Sequence, residues 1–232
     1  MKAMILAAGR GERMRPLTDT CPKPLLKVNG TPLIEYHIKN LVAAGIIDIV
    51  INHAWLGEKI VAHLGCGKQF GAKISYSEEP IALETAGGII KALAMLAEDD
   101  NDVFLVINGD VFCDFNLQNM PTLQAEHNAH LMLVKNPEHN ANGDFQLNGG
   151  MLVNPTNQQQ TTYTFSGIAL YRKRFFTTQC QTDEKRVREQ IVQPLAPMLR
   201  AAADQQKISA SVLEAAWTDV GTPERLATLN GI

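Results

Sequence analysis

Cysteine is scarce in this chain of 232 residues. The four present, Cys21, Cys66, Cys113 and Cys180, form no C-x-x-C and no close pair, which excludes a disulfide framework and zinc-ribbon spacing. Buried free thiols in a reducing cytoplasm are the expectation. Basic residues are not in excess: 21 Lys and Arg stand against 24 Asp and Glu, a formal charge of −3. That balance argues against a nucleic-acid coat and against a polybasic membrane binder. Long apolar runs are missing too. The run from Ala3 to Ala8 stops at Gly9, too short for a secretory leader or for the roughly 20 apolar residues of a membrane span. Neither a flexible linker nor an internal repeat is seen, and the hexapeptide period of a β-helix is absent. The six histidines make no H-x-x-x-H or H-E-x-x-H pattern, and the serines lack a G-x-S-x-G elbow.

What is present is material for a core. Hydrophobic residues make up 45% and charged ones 19%, which sets disorder, collagen and coiled coil aside. At about 150 residues per domain, the length suits one large domain or a closely fused pair. The first half alternates strand and helix patterns. Residues 3–6 read as a buried strand entering a glycine loop. Thr31 as N-cap and Pro32 in the first turn open a helix through Leu33, Tyr36, Ile38 and Leu41, closed by Gly45. Apolar strands are expected over 46–51, 73–76 and 103–107, with helices over 56–64 and 85–96 between them.

This β-α-β-α-β-α-β order predicts an α/β fold, a doubly wound, mostly parallel sheet with helices on both faces. Ligands of such sheets bind at the carboxyl ends of the strands, and Gly9 and Asp110 fall at those ends. The second half is richer in β. Strands are expected over 131–134, 161–171, 208–213 and 217–220, a helix over 187–203 despite Pro194 and Pro197, and a terminal helix over 223–229. Between 136 and 160, Asn, Gln, Gly and Pro crowd into a stretch read as hairpins or a mobile excursion, with the Gln run at 158–160 as a loop tip.

The densest segment is Leu6-Ala7-Ala8-Gly9-Arg10-Gly11-Glu12-Arg13-Met14-Arg15-Pro16-Leu17, followed by Cys21-Pro22-Lys23-Pro24. Gly9 and Gly11 allow a tight turn that brings backbone N–H groups close to a ligand. Arg10, Arg13, Arg15 and Lys23 add four cations to a net-acidic chain, and Arg forks with a Lys point charge suit a polyphosphate. A solvated turn would explain a lone G-x-G, but not one that follows a first strand and carries four cations. A dinucleotide fingerprint fails at Met14, where a third small residue is needed, and no acidic residue ends the second strand at Ile51-Asn52. A Walker A run is absent. Asp110 and Asp219, each taken alone, fit the role of a turn residue.

Taken together, the segment resembles the N-terminal signature of sugar-1-phosphate nucleotidyltransferases, L-A-A-G-x-G-x-R-x-x-P-L followed by K-P. Every fixed position matches, with Glu12 where Thr is usual. The likeness extends to Trp217-Thr218-Asp219-Val220-Gly221-Thr222-Pro223-Glu224 and so covers nearly the whole chain. It implies a single Rossmann-like, glycosyltransferase-A-like domain over 1–232 without a C-terminal β-helix. Residues 1–130 would form its nucleotide-binding half, and 131–232 a β-rich half for the sugar phosphate.

By the same resemblance, Arg13 and Lys23 are catalytic and Asp110 with Asp219 holds Mg²⁺, a cation that requires hard oxygen ligands. Leu6, Ala7, Ala8, Gly9, Gly11, Glu79, Glu84 and Asn108 would bind nucleotide; Gly143, Asp144, Phe165, Ser166 and Gly167 would line the sugar pocket. Glu84 stands where the family usually has Gly. A Glu79 carboxylate can accept from uracil N3–H or from guanine N1–H and N2–H, so the base stays open at that residue.

Within the family, Ile51-Asn52-His53-Ala54-Trp55-Leu56-Gly57, Leu83-Glu84-Thr85, Gly143-Asp144-Phe145 and Phe165-Ser166-Gly167-Ile168 resemble the branch that transfers UMP to N-acetylmuramate 1-phosphate in cell-wall recycling. The partners implied are UTP and that sugar phosphate, with no nucleic acid and no membrane. The lactyl carboxylate of such a sugar calls for a cation, for which Lys135 and Arg172 are the candidates. Mannose-1-phosphate guanylyltransferase and glucose-1-phosphate thymidylyltransferase are the rivals within the class. A nucleotide-sugar sensor without turnover is the rival outside it, and it would have no use for a second metal carboxylate.

Overall fold

The computed structural model describes residues 1–81, 83–156, 160–180 and 191–231. Strand β1 (Lys2–Leu6) sends Ala3 and Ile5 into one apolar cluster and Met4 into another, all three fully buried. A short run apolar at every position becomes such a strand, covered on both faces, in a parallel sheet. After the glycine loop come α1 (Leu17–Thr20) and a small ribbon of β2 (Lys27–Val28) and β3 (Thr31–Pro32). The alternation then proceeds through α2 (Leu33–Ala43), β4 (Asp48–His53), α3 (Gly57–Leu64), β5 (Lys73–Glu78), α4 (Glu84–Leu96) and β6 (Val103–Asn108).

These four long strands pair in parallel in the order β5-β4-β1-β6. Ile34, Ile38 and Leu41 of α2 and Ile60 and Leu64 of α3 cover one face; Ile89, Ile90 and Leu93 of α4 cover the other. Chain order reverses beside β1, with β4 and β5 on one side and β6 on the other. The crevice between the carboxyl ends of β1 and β6 is therefore the topological switch point where such sheets take ligands.

Beyond β6 follow β7 (Val111–Cys113), β8 (Ala129–Val134), β9 (Phe145–Asn148), β10 (Met151–Val153), β11 (Thr162–Arg172), α5 (Lys173–Cys180), α6 (Leu195–Asp204), β12 (Ile208–Val212), β13 (Trp217–Asp219) and α7 (Pro223–Leu229). They extend the sheet to nine strands, β5-β4-β1-β6-β11-β8-β12-β10-β9. Strands β10 and β11 run against the rest, and a pairing of β11 with β9 closes the last five strands into a ring. A separate ribbon of β7 and β13 pairs Asp219 with Val111. No helix among the described residues is long and apolar enough to cross a membrane.

Three expectations are corrected. The thiols expected to be buried are not: Cys21 and Cys113 are half-buried and Cys66 is exposed. Helix α2 begins at Leu33 with Pro32 rather than Thr31 as its N-cap, because Thr31 and Pro32 pair with Val28 and Lys27 and the Leu33 N–H donates to the Leu26 carbonyl at 2.9 Å. The first residues of the helix expected over 187–203 lie outside the described residues. The helix seen starts at Leu195, since Gln193 spends its N–H on the Leu83 carbonyl and its own carbonyl on the Gly87 N–H, and Pro194 caps α6. Pro197 falls in the first turn of α6, where no intrahelical donor is required. Of the two readings of residues 136–160, the hairpin is seen: β9 and β10 turn through Gly149 and Gly150 at φ 56° and 82°, the positive values a type I′ turn demands. Gln158 and Gln159 of the expected loop tip lie outside the described residues.

Candidate active site

The ends of β1 and β6 touch because residue 109 has no side chain. Gly109 N–H donates to the Leu6 carbonyl at 2.8 Å, and a Cβ on residue 109 would stand 2.6 Å from that oxygen. On the β1 side, Gly11 turns the loop at φ 66°, a left-handed value that glycine adopts without cost. The same bare position makes room for the Lys23 stem, whose Cβ would lie 3.3 Å from a Cβ at 11. Thr18 Oγ1 donates to the Gly11 carbonyl at 2.8 Å and fixes the turn.

A cleft of about 490 Å³ opens here. Its walls bring together Leu6, Ala7, Ala8, Gly9, Gly11, Arg13, Lys23, Glu79, Glu84, Asn108 and Asp110, with Asn52, Leu83, Thr85 and Gly221 among the further lining. Lys23 Nζ donates to Asp110 Oδ2 at 2.6 Å, with the lysine side chain 11% and the aspartate 39% exposed. Of the four loop cations, Arg13 and Lys23 line the cleft. Arg10 instead lies over the Trp55 ring, 4.9 Å from its centroid, and Arg15 pairs with Asp19 at 3.0 Å.

Asn52, at the end of β4, is the residue sequence reasoning missed. Its Oδ1 accepts from the Ala7 N–H at 2.9 Å and its Nδ2 donates to Glu79 Oε1 at 2.6 Å, tying the glycine loop to the buried carboxylate. Glu79 Oε2 accepts from the Leu83 N–H at 3.3 Å. Burial raises the Glu79 carboxyl above the usual range, against the lowering pull of Asn52, the Leu83 N–H, Lys91 and His53. The available signal was a polar residue closing an apolar strand. Glu84 sits at φ 62° with its side chain exposed, which supplies a reason why glycine would be usual there.

Asp219 lies on the ribbon, outside the lining of the cleft and one register step from Asp110, whose carbonyl accepts from the Val220 N–H at 2.7 Å. Its Oδ1 lies 2.5 Å from Arg225 Nη1 and 2.9 Å from His139 Nε2. Asp110 Oδ1 and Asp219 Oδ2 accept no hydrogen bond among the described residues. No cluster of three or more His, Cys, Asp or Glu able to hold a metal is found among the described residues. Two hard carboxylates nevertheless suit Mg²⁺, which takes one or two such ligands and completes its shell with phosphate and water.

The five sugar-side candidates lie outside the lining of the cleft. Asp144 Oδ2 accepts from the Phe165 N–H at 2.8 Å and Oδ1 from Asn140 Nδ2 at 3.2 Å, so its carboxylate ties the 136–144 excursion to β11. Gly143, at φ 62°, packs where a Cβ would meet Asn136 Oδ1 at 2.6 Å. Phe165 packs against the core, and the fully buried Ser166 accepts the Ile168 N–H at 3.2 Å. Gly167, at φ 80° in a β-bulge, leaves room for Asn108, whose Nδ2 would be 2.7 Å from a Cβ. Of the two candidate cations, Arg172 spends its guanidinium on the carbonyls of His127, Asn101, Leu123 and Gln124, while Lys135 is exposed just past β8.

Residues 2–231 match the family described as nucleotidyl transferase. The N-acetylmuramate alpha-1-phosphate uridylyltransferase of Neisseria meningitidis is 48% identical over 231 residues, 97% of this chain and 95% of that protein. The mannose-1-phosphate guanyltransferase of Emericella nidulans is 40% identical over 128 residues, 55% of this chain and 35% of its own length. Among solved structures, a candidate glucose-1-phosphate thymidylyltransferase from Bacillus anthracis superposes with a TM-score of 0.82 at 22% identity, covering 100% of this chain and 94% of that one. HddC from Yersinia pseudotuberculosis, complexed with GMP-PN, gives 0.76 at 20% identity, covering 99% and 98%. At these identities the structural likeness is one of fold.

Proposed function

The chain belongs to the nucleotidyl transferase family, and on that premise we propose that it transfers UMP from UTP to N-acetylmuramate 1-phosphate, giving UDP-N-acetylmuramate and pyrophosphate. The relative at 48% identity, matched over nearly the full length of both proteins, supports that pair of substrates. The Lys23–Asp110 contact at 2.6 Å carries the chemistry, because it joins the phosphate loop to the end of β6 within one cleft.

The attacking oxygen belongs to the sugar phosphate, already ionised at neutral pH. It adds in line to the α-phosphorus of UTP as the bond to the bridging oxygen breaks and pyrophosphate leaves. No protein base is needed. Rate then comes from orientation and charge neutralisation. Arg13 and Lys23 neutralise the triphosphate, and backbone N–H groups of the Gly9–Gly11 turn cradle it. Asn52 keeps that loop in register with Glu79, which accepts from the uracil N3–H.

Asp110 and Asp219 would hold Mg²⁺, which would supply further neutralisation of the phosphate charge. The cytoplasm, which holds the nucleoside triphosphates, is the compartment we assign, and peptidoglycan recycling the use of the product. The test is pyrophosphate release with UTP, GTP and dTTP crossed against the muramate, mannose and glucose 1-phosphates. The UTP–muramate pair should exceed GTP–mannose and dTTP–glucose in kcat/KM by at least tenfold, about 1.4 kcal/mol. A preference for GTP with mannose would reject the substrate pair, and no pyrophosphate from any pair would favour a sensor.

A further inference from the structure

N-acetylmuramate carries an anion besides its 1-phosphate, the carboxylate of its lactyl ether, and the phosphate loop offers it nothing. Among the described residues of the second half, Arg172, Arg174 and Arg200 direct their guanidinium groups at carbonyl and amide oxygens. Arg225 is placed differently. Its Nη1 meets Asp219 Oδ1 at 2.5 Å and His139 Nε2 at 2.8 Å, while Nε and Nη2 have no hydrogen-bond partner among the described residues. Nε–H and Nη2–H point the same way and form the side-on fork that matches the two oxygens of a carboxylate.

The fork also lies beside the cleft. Gly221 lines the cleft, and a Cβ on it would collide with Arg225 Nη2. The guanidinium therefore lies behind the Gly221 backbone, next to the cleft but outside its lining. Arg225 is 20% exposed, which leaves it reachable while most of its surroundings are protein. His139 comes from the 136–144 excursion and Arg225 from α7, and both reach the Asp219 carboxylate on β13.

Resting on the substrate pair proposed above, we propose that Arg225, with His139 beside it, is the specificity residue for the sugar's carboxylate. The Nε/Nη2 fork takes the lactyl carboxylate while Nη1 keeps Asp219. The ligand class is a sugar acid 1-phosphate, and the neutral sugar of the same ring gains nothing from the fork.

Steady-state kcat/KM with UTP tests this for N-acetylmuramate 1-phosphate and for N-acetylglucosamine 1-phosphate, which lacks only the lactyl ether. The proteins are the parent chain, Arg225→Met, Arg225→Lys and Lys135→Met, with calorimetric titration of each sugar phosphate as a second readout. The muramate-to-glucosamine ratio should fall at least tenfold in Arg225→Met, chiefly through KM and with matching loss of muramate binding. Arg225→Lys, which keeps the charge but loses the fork, should retain an intermediate ratio. Equal losses for both sugars would overturn the proposal and leave Arg225 as a support for Asp219 alone. An unchanged ratio, or a ratio that collapses in Lys135→Met instead, would overturn it as well. A parent chain without preference for the muramate would reject the substrate pair itself, and this inference with it.

Discussion

At the scale of single residues, the cleft is built from groups that would be costly elsewhere. Lys23 is nearly buried and depends on Asp110, 2.6 Å away, for its counter-charge. Asp110→Asn keeps the shape but removes that charge and the proposed metal ligand, so turnover should fall by roughly 10²–10³. The fold should survive, since the Asp110 side chain is 39% exposed. Pyrophosphate release near the parent rate from a variant with a parental circular dichroism spectrum would remove Asp110 from the site. Glu84 tells a different story. Its φ of 62° is left-handed, which costs an L-residue roughly 1–2 kcal/mol. Glu84→Gly should therefore raise stability by up to about 1 kcal/mol, while Glu84→Ala keeps the strain and gains nothing. The urea midpoint checks this: no gain in the glycine variant would mean that the Glu84 side chain contributes more than its backbone costs.

Among the elements, α4 gives up helix propensity for contact. Gly87 and Gly88 stand in its first turns, and a glycine inside a helix costs about 1 kcal/mol relative to alanine. The gain is close approach. A Cβ on Gly87 would collide with the Ile191 carbonyl, and one on Gly88 would lie 2.6 Å from Glu79 Oε1 and 2.8 Å from Asn52 Nδ2. Propensity and packing thus predict opposite signs for Gly88→Ala. Packing should win: we expect a loss of about 1–3 kcal/mol and weaker binding of UTP than of the sugar phosphate, relative to the parent. A stabilised variant with unchanged UTP affinity would show that the Asn52–Glu79 pair has room to move.

For the molecule as a whole, two buried histidines make stability depend on pH. Burial lowers His37 to about 4, against raising contributions from Asp110 and the Val111 backbone. Burial likewise lowers His130 to about 4, helped by His127. Both values lie below the unfolded 6.5, so the folded state favours the neutral rings. Their contribution is complete above about pH 6.5 and is lost as pH falls toward 4, by at most about 3 kcal/mol each. Glu79, whose carboxyl burial raises, opposes this trend in part. The urea midpoint should therefore drop between pH 7.5 and pH 5. His37→Leu should flatten that drop, because the Nε2 of His37 is buried with no partner. A midpoint independent of pH over this window would contradict the assignment.

The sequence by itself determined the alternation of strands and helices in the first half, because each apolar run is contiguous and punctuated by Gly or a polar turn. It also determined where the cleft lies, since the glycine loop after β1 and Asp110 after β6 are local signals read at strand ends. Contacts distant in sequence decided the rest. The signature marks Arg13 and leaves Arg10 open, and it is the folded chain that lays Arg10 over Trp55, outside the lining of the cleft. Asn52 reads as the end of a strand until Ala7, 45 residues earlier, and Glu79, 27 later, close on it. Thr31 and Pro32 carry a helix-start pattern, but pairing with Lys27 and Val28 claims them first. Gly221 gives no hint that Arg225 fills the space its side chain would take. Periodicity reports which face of an element is apolar, whereas a polar group's partner is set by the element that packs against it, and that choice is made only when the chain is folded.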